Sequence, residues 1–195
     1  MRRRPSLQDG SAAHMTRGLI PLVAVTMLLV PGREARAGET SLAMGLGYVK
    51  ARRVDATLWY TAGVRFHVRG GFAVEPEIGY WRKAATTQGI TISIRDVQFG
   101  ANVLFVHRAG RDIELFVGAG GGVHSVNGEL TTRTASMSTS RTKPGVEAVG
   151  GADLKAGDAL SFFVAARYDW VLGLPGEDPR RLDQGKFYGG FRLRF

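Results

Sequence analysis

Twelve ionisable side chains share their parity with small or polar neighbours inside runs of alternating residues. They are Arg65, His67, Glu75, Glu77, Glu114, Glu147, Asp153, Lys155, Arg167, Asp169, Arg192 and Arg194. Successive side chains of a strand point to opposite faces, so each of these groups lies on one face with an apolar set behind it. Carboxylates and guanidinium groups gathered on one enclosed face can do two kinds of chemistry. They can lock into a static network, because an unpaired buried charge is costly, or they can pass protons or ions along a path. Mutual pairing predicts a salt-bridge network of Arg65, Glu75, Glu77, Glu114, Glu147, Asp153, Arg167, Asp169, Arg192 and Arg194 that fills the enclosed space. Counted from the shorter turns, Glu75, Glu114, Asp153, Arg192 and Arg194 are expected at similar depth.

Covalent chemistry finds less support. His124 and Ser125 are adjacent, so alternation sends them to opposite faces and removes them as a base and nucleophile pair. No other Ser, His and carboxylate set converges, so no catalytic residue and no enzyme activity are expected. His67, His107 and His124 lack a common face or close spacing, and the chain has no cysteine, so neither a metal nor a cofactor site is expected. GAGGGV at Gly118–Val123 is not a phosphate loop, because no Lys-Ser/Thr follows it and no helix pattern begins there. Its glycines at 118, 120 and 122 are expected to face inward and leave room for bulky neighbours such as Phe163 or Tyr188.

The elements that must position these groups are strands. In LWYTAGVRFHV, Leu58, Tyr60, Ala62, Val64, Phe66 and Val68 form one face and Trp59, Thr61, Gly63, Arg65 and His67 the other. The ending KFYGGFRLRF divides likewise into Phe187, Gly189, Phe191, Leu193 and Phe195 against Tyr188, Gly190, Arg192 and Arg194. Eight such runs are predicted: Ser41–Lys50, Thr57–Arg69, Phe72–Lys83, Ile92–Arg108, Asp112–Val126, Val146–Lys155, Ala159–Leu172 and Lys186–Phe195. Each is about ten residues or more, enough for a tilted strand to cross a hydrocarbon core. Connectors alternate between tight, glycine-bearing turns and longer polar loops at Ala51–Ala56, Ala84–Thr91, Asn127–Gly145 and Gly173–Gly185. An even number of strands, short turns at one end and long loops at the other predict an all-β, eight-stranded, antiparallel, up-and-down transmembrane barrel. A soluble barrel or sandwich is also period two. The membrane form is preferred because the polar set is rich in Gly, Ala, Ser and opposite charges, while Tyr60, Tyr80, Tyr168, Trp170 and Phe195 fall near run ends like interfacial girdles.

Three further features carry expectations. The apolar set of ITISIRDVQFGANVLFV is even-numbered up to Ile94 and odd-numbered from Val97, which predicts a bulge near Arg95–Asp96. Pro76 cannot donate to the ladder, so one hydrogen bond there is expected to be lost or bulged. The Thr/Ser-rich stretch NGELTTRTASMSTSRTKPG is expected as a mobile, solvated loop whose Arg133, Arg141 and Lys143 could meet lipopolysaccharide phosphates, a host surface or a phage.

Ahead of the runs, Arg17, the apolar stretch Leu19–Val30 and Ala35-Arg36-Ala37 have the layout of a secretory signal. Residues 1–37 are expected to be removed after Ala37, with Met1 or Met15 as the start, leaving 38–195 as the barrel domain. The net charge of +9 falls to +5 once that segment is set aside, since 20 basic and 15 acidic residues remain. So small a charge, spread along the chain, argues against a nucleic-acid partner.

Stretches such as MGLGYV, AVEPEIGYW and YGGFRLRF give residues 38–195 a resemblance to small outer-membrane β-barrel proteins of the OmpA/OmpX kind, the group called outer membrane protein beta-barrel domain. The resemblance is one of pattern. It implies integral residence in a bacterial outer membrane as a monomer in contact with lipid and lipopolysaccharide. It also implies that the terminal aromatic Phe195 resembles the signal read by the barrel assembly machinery. Lipid A deacylases on this scaffold carry His and Ser two residues apart on one face, a spacing that His124–Ser125 lacks. A structural or adhesive role is expected, with a narrow channel for small solutes or ions as the alternative.

Overall fold

The computed structural model describes residues 33–34, 38–52, 54–173 and 182–195. The expected signal segment, residues 1–37, lies outside them but for Arg33–Glu34, which pair with Arg108 and His107. Eight long strands follow: β1 Thr40–Ala51, β2 Thr57–His67, β3 Phe72–Thr87, β4 Ile90–Arg108, β5 Ile113–Thr131, β6 Ser136–Lys155, β7 Leu160–Val171 and β8 Gln184–Arg194. Each pairs antiparallel with the next, and β1 pairs with β8, so the sheet closes. Closure satisfies the backbone groups that an open edge would leave bare, and lipid offers no water to replace them.

The strands are staggered as they close. The paired residues Tyr80, Tyr60, Leu46, Gly189, Val164, Ala152, Leu115 and His107 trace one circuit of the barrel. The circuit returns to β3 near Gly70, about ten residues from its start, and such a stagger goes with strands tilted by about 35–45°. The tilt brings the outward aromatics Tyr48, Tyr60, Tyr80, Tyr168 and Trp170 to one level, where Tyr168 and Trp170 meet edge to face at 4.8 Å. A second aromatic level near the short turns is made of phenylalanines, among them Phe66, Phe72, Phe105 and Phe162, with Phe72 and Phe105 in edge contact at 5.7 Å. From Tyr80 to Phe72 is about 27 Å of strand, or about 20 Å along the barrel axis.

Strand ends at the short turns fall within three residues of expectation, and the chain passes Arg69–Gly71 as a single 3₁₀ turn. At the other end two expected loops are strands. β3 and β4 continue to Thr87 and from Ile90, joined by Gln88 and Gly89 at φ 52° and 78°, the left-handed pair that a two-residue hairpin turn requires. The stretch expected as the mobile loop Asn127–Gly145 continues β5 to Thr131 and restarts β6 at Ser136. Its turn is closed by Thr132 N–H donating to Ala135 O at 2.8 Å. Thus β3 to β6 rise together above the tyrosine girdle as a four-stranded crown, while β1, β2, β7 and β8 end near it.

The crown also explains the missing bulge. The register of β4 runs unbroken on both sides through Arg95 and Asp96. What changes there is the surroundings: Ile90, Ile92 and Ile94 share the inward parity of Asp96, but above the girdle that inward face turns apolar. The expected break at Pro76 has a counterpart. The β2–β3 pairing lapses at Val64–Arg65, opposite Pro76 and Glu75, and resumes with the same offset at Phe66.

Candidate functional site

Inward positions of all eight strands fill the lumen in tiers. At the mouth nearest the short turns, Glu114 receives Arg108 Nε at 2.8 Å, Lys155 Nζ at 3.1 Å and Arg194 Nη2 at 3.2 Å, while Glu39 lies 3.3 Å from Arg194. Glu39, Arg108, Lys155 and Arg194 line an open vestibule of about 580 Å³ that reaches Asp158 and Phe195.

The next tier is a closed square of two cations and two anions. Arg65 donates to Glu75 at 2.5 Å and Asp153 at 2.9 Å, and Arg192 donates to the same two carboxylates at 3.0 Å each. All four side chains are buried, so each charge is neutralised where water cannot help. The guanidinium groups also cover aromatic rings, Arg65 over Phe116 at 4.4 Å and Arg192 over Phe163 at 5.5 Å.

Above the square, Arg167 donates to Glu77 through both terminal nitrogens and lies 3.5 Å from Glu147, which accepts from Gln98 at 2.5 Å. Lys186 bridges Gln98 and Asp169 and stands 3.8 Å over the Trp59 ring. At girdle level, Asp96 meets His124 Nδ1 at 2.9 Å and Gln184 Nε2 at 2.7 Å, and Trp81 Nε1 donates to Gln184 at 3.3 Å. Between the square and the Arg167 tier lies a cavity of about 10 Å³, room for one water at most.

The structure thus brings the ten expected network residues into the lumen, but in separate groups. Glu114 and Arg194 belong to the mouth tier, whereas Glu75, Asp153 and Arg192 meet Arg65 in the square, so the expected common depth divides in two. Sequence reasoning left out Lys186, Gln98, Asp96 and Gln184. Lys186 shares the parity of Tyr188 and Arg192, a signal that was there to be read. Asp96 was hidden by the supposed bulge.

The remaining candidates separate as alternation requires. His124 faces the lumen and Ser125 the outside. His67 and His124 lie at opposite ends of the lumen, and His107 stacks beside Phe105 at 6.5 Å. Gly118, Gly120 and Gly122 abut the β4 backbone, Leu104 and Asn102 rather than Phe163 or Tyr188. The glycine that makes room for those two rings is Gly45.

A closed antiparallel barrel with a charged, filled interior and an apolar, twice-girdled exterior defines the fold class of small transmembrane β-barrels. Solved structures with this fold agree. Neisserial surface protein A aligns with a TM-score of 0.65 at 12% identity, covering 83% of this chain and 100% of that one. A major outer membrane protein from Thermus thermophilus aligns at 0.61 and 12% identity, over 80% and 99% of the two chains. Ail, the attachment invasion locus protein of Yersinia pestis, solved with the heparin analogue sucrose octasulfate, aligns at 0.58 and 16%, over 82% and 100%. No protein-family model matches the sequence, and no curated protein sequence matches it either.

Proposed function

We propose that the chain is a monomeric, integral protein of a bacterial outer membrane, with its short turns at the periplasmic face and its crown at the cell surface. Its role is non-catalytic: reinforcement of the membrane or surface adhesion through the crown. The observation that carries this reading is the outward set that runs from one girdle to the other. Leu46, Phe99, Val103, Leu154, Phe162 and Val164 are each about half exposed, an arrangement that water penalises and lipid favours. The partners of this reading are membrane lipid and lipopolysaccharide around the wall, and the barrel assembly machinery acting on β8 and Phe195.

The run of titratable groups from mouth to girdle favours one rival, a narrow channel for ions or small solutes. The bidentate and bridged pairing of those groups, with a cavity of only about 10 Å³ between the square and the Arg167 tier, supports a plug instead. Membrane fractionation with heat-modifiable gel migration tests the first part, and recovery as a soluble, heat-insensitive protein would overturn it. Conductance of vesicles holding the purified chain tests the second. A sealed bilayer is expected, and steady large openings would replace the plug by the channel.

A further inference from the structure

Two arginines stand side by side on the outer wall of the crown. Arg82 of β3 and Arg95 of β4 are directly paired across the ladder, and both are exposed. Each shares the outward parity of the lipid-side residue two positions below it, Tyr80 and Val97, so the pair lies about 7 Å of strand beyond the tyrosine girdle. The same row continues into Asn127 and Ser140 on the neighbouring strands, and the row beneath holds Ser125 and Thr142.

Like charges directly opposite one another on a sheet destabilise it. In the lumen, by contrast, Arg65 and Arg192 share two carboxylates, Glu75 and Asp153. Here none is placed: among the described residues, no carboxylate lies within ion-pair distance of Arg82 or Arg95. Glu129, the sole acid on this face of the crown, lies one row further from the girdle, where Thr131 Oγ1 faces it at 3.5 Å. Two unneutralised guanidinium forks, flanked by amide and hydroxyl groups and set just above an interfacial aromatic belt, match a phosphate on a sugar-bearing headgroup.

We infer that Arg82 and Arg95 form a binding site for the phosphate of a phosphorylated glycolipid headgroup in the outer leaflet. The inference rests on the outer-membrane reading above and deepens it by assigning the lipid contact to one place on the wall. The bound phosphate supplies the missing anion, so the pair becomes a lipid clamp at the root of the crown.

The full chain, folded into phosphatidylcholine vesicles with or without bisphosphorylated lipid A, provides the test. Heat-modifiable migration gives an unfolding midpoint, and native mass spectrometry gives the lipid A retained. Wild type is expected to unfold at higher temperature with lipid A present. Arg82→Gln with Arg95→Gln is expected to retain at least about tenfold less lipid A, the factor for losing one charged hydrogen-bonding group. Arg95→Glu, which gives Arg82 an internal partner, is expected to exceed wild type in phosphatidylcholine alone and to gain nothing from lipid A. Equal lipid A retention by wild type and the glutamine variant would overturn the site, as would equal wild-type midpoints in the two vesicles. The same rise produced by inorganic phosphate in phosphatidylcholine would overturn the lipid assignment. A chain that folds in vesicles yet fails these tests loses only the clamp, whereas one that never folds there loses the outer-membrane reading as well.

Discussion

Arg192 and Glu75 lie 117 residues apart in the chain and 3.0 Å apart in the lumen, and each has a second partner within the same square of four charges. Neither can be removed without leaving an uncompensated charge in a buried site. Asp153→Asn or Arg192→Ala is therefore expected to destabilise the barrel by about 3–5 kcal/mol, read as a shift in urea unfolding from vesicles. Arg65→Met with Asp153→Leu leaves the Arg192–Glu75 pair intact and should cost less than either single change. A double variant worse than both singles would show that the square is not an independent unit.

Trp59 and Gly79 offer a second test, because the outer edge of the indole ring sits against the glycine and any Cβ there would overlap it. Gly79→Ala is expected to lower stability by about 1–3 kcal/mol, the usual cost of overpacking, and to disturb the Lys186 contact with the ring. Trp59→Phe in the same chain should recover part of the loss. An unchanged midpoint for Gly79→Ala would mean that the ring moves aside freely.

The Gln88-Gly89 turn closes the β3–β4 hairpin well above the girdle. Gln88→Asn, better suited to its left-handed backbone, is expected to stabilise the crown by a few tenths of a kcal/mol, whereas Gly89→Val should cost about 1 kcal/mol or more. The effect belongs to the crown alone. Limited proteolysis should detect it as altered nicking near residues 87–91 while the heat-modifiable shift of the barrel stays the same.

Phe195 contributes a closing hydrogen bond through its backbone, N–H to Thr40 O at 2.9 Å, but its ring is 78% exposed. Phe195→Ala keeps the bond and loses little packing. Insertion in cells is expected to fall several-fold while the purified, refolded barrel unfolds within about 0.5 kcal/mol of wild type. Equal losses in both measurements would make the ring a structural element and not an assembly signal.

How much of this was legible beforehand depended on solvent contrast. Within the belt, one face of each strand meets lipid and the other a crowded lumen, so Phe191 and Arg192 announce their sides by residue type alone. In the crown both faces meet water, and the Ser/Thr-rich residues 136–142 show no alternation although they are as regularly paired as any others. Ile90, Ile92 and Ile94 misled for the same reason: the apolar side changed while the pairing did not. Depth was harder still, because closure with a stagger of about ten residues shifts the level of each strand: Glu114 and Asp153 stand directly opposite each other in the ladder, yet take their partners in different tiers.

Among the described residues, the crown rises from four consecutive strands, β3 to β6. Two aromatic belts alone would fix how deep a barrel floats and leave its rotation about the membrane normal without meaning. A wall on one side of the rim gives the molecule a compass heading. Neighbours approaching from the direction of β4 meet a polar, arginine-bearing cliff, and those approaching from β8 meet strands that end near the girdle. Crowding in the plane of the membrane would then act on orientation as well as on spacing.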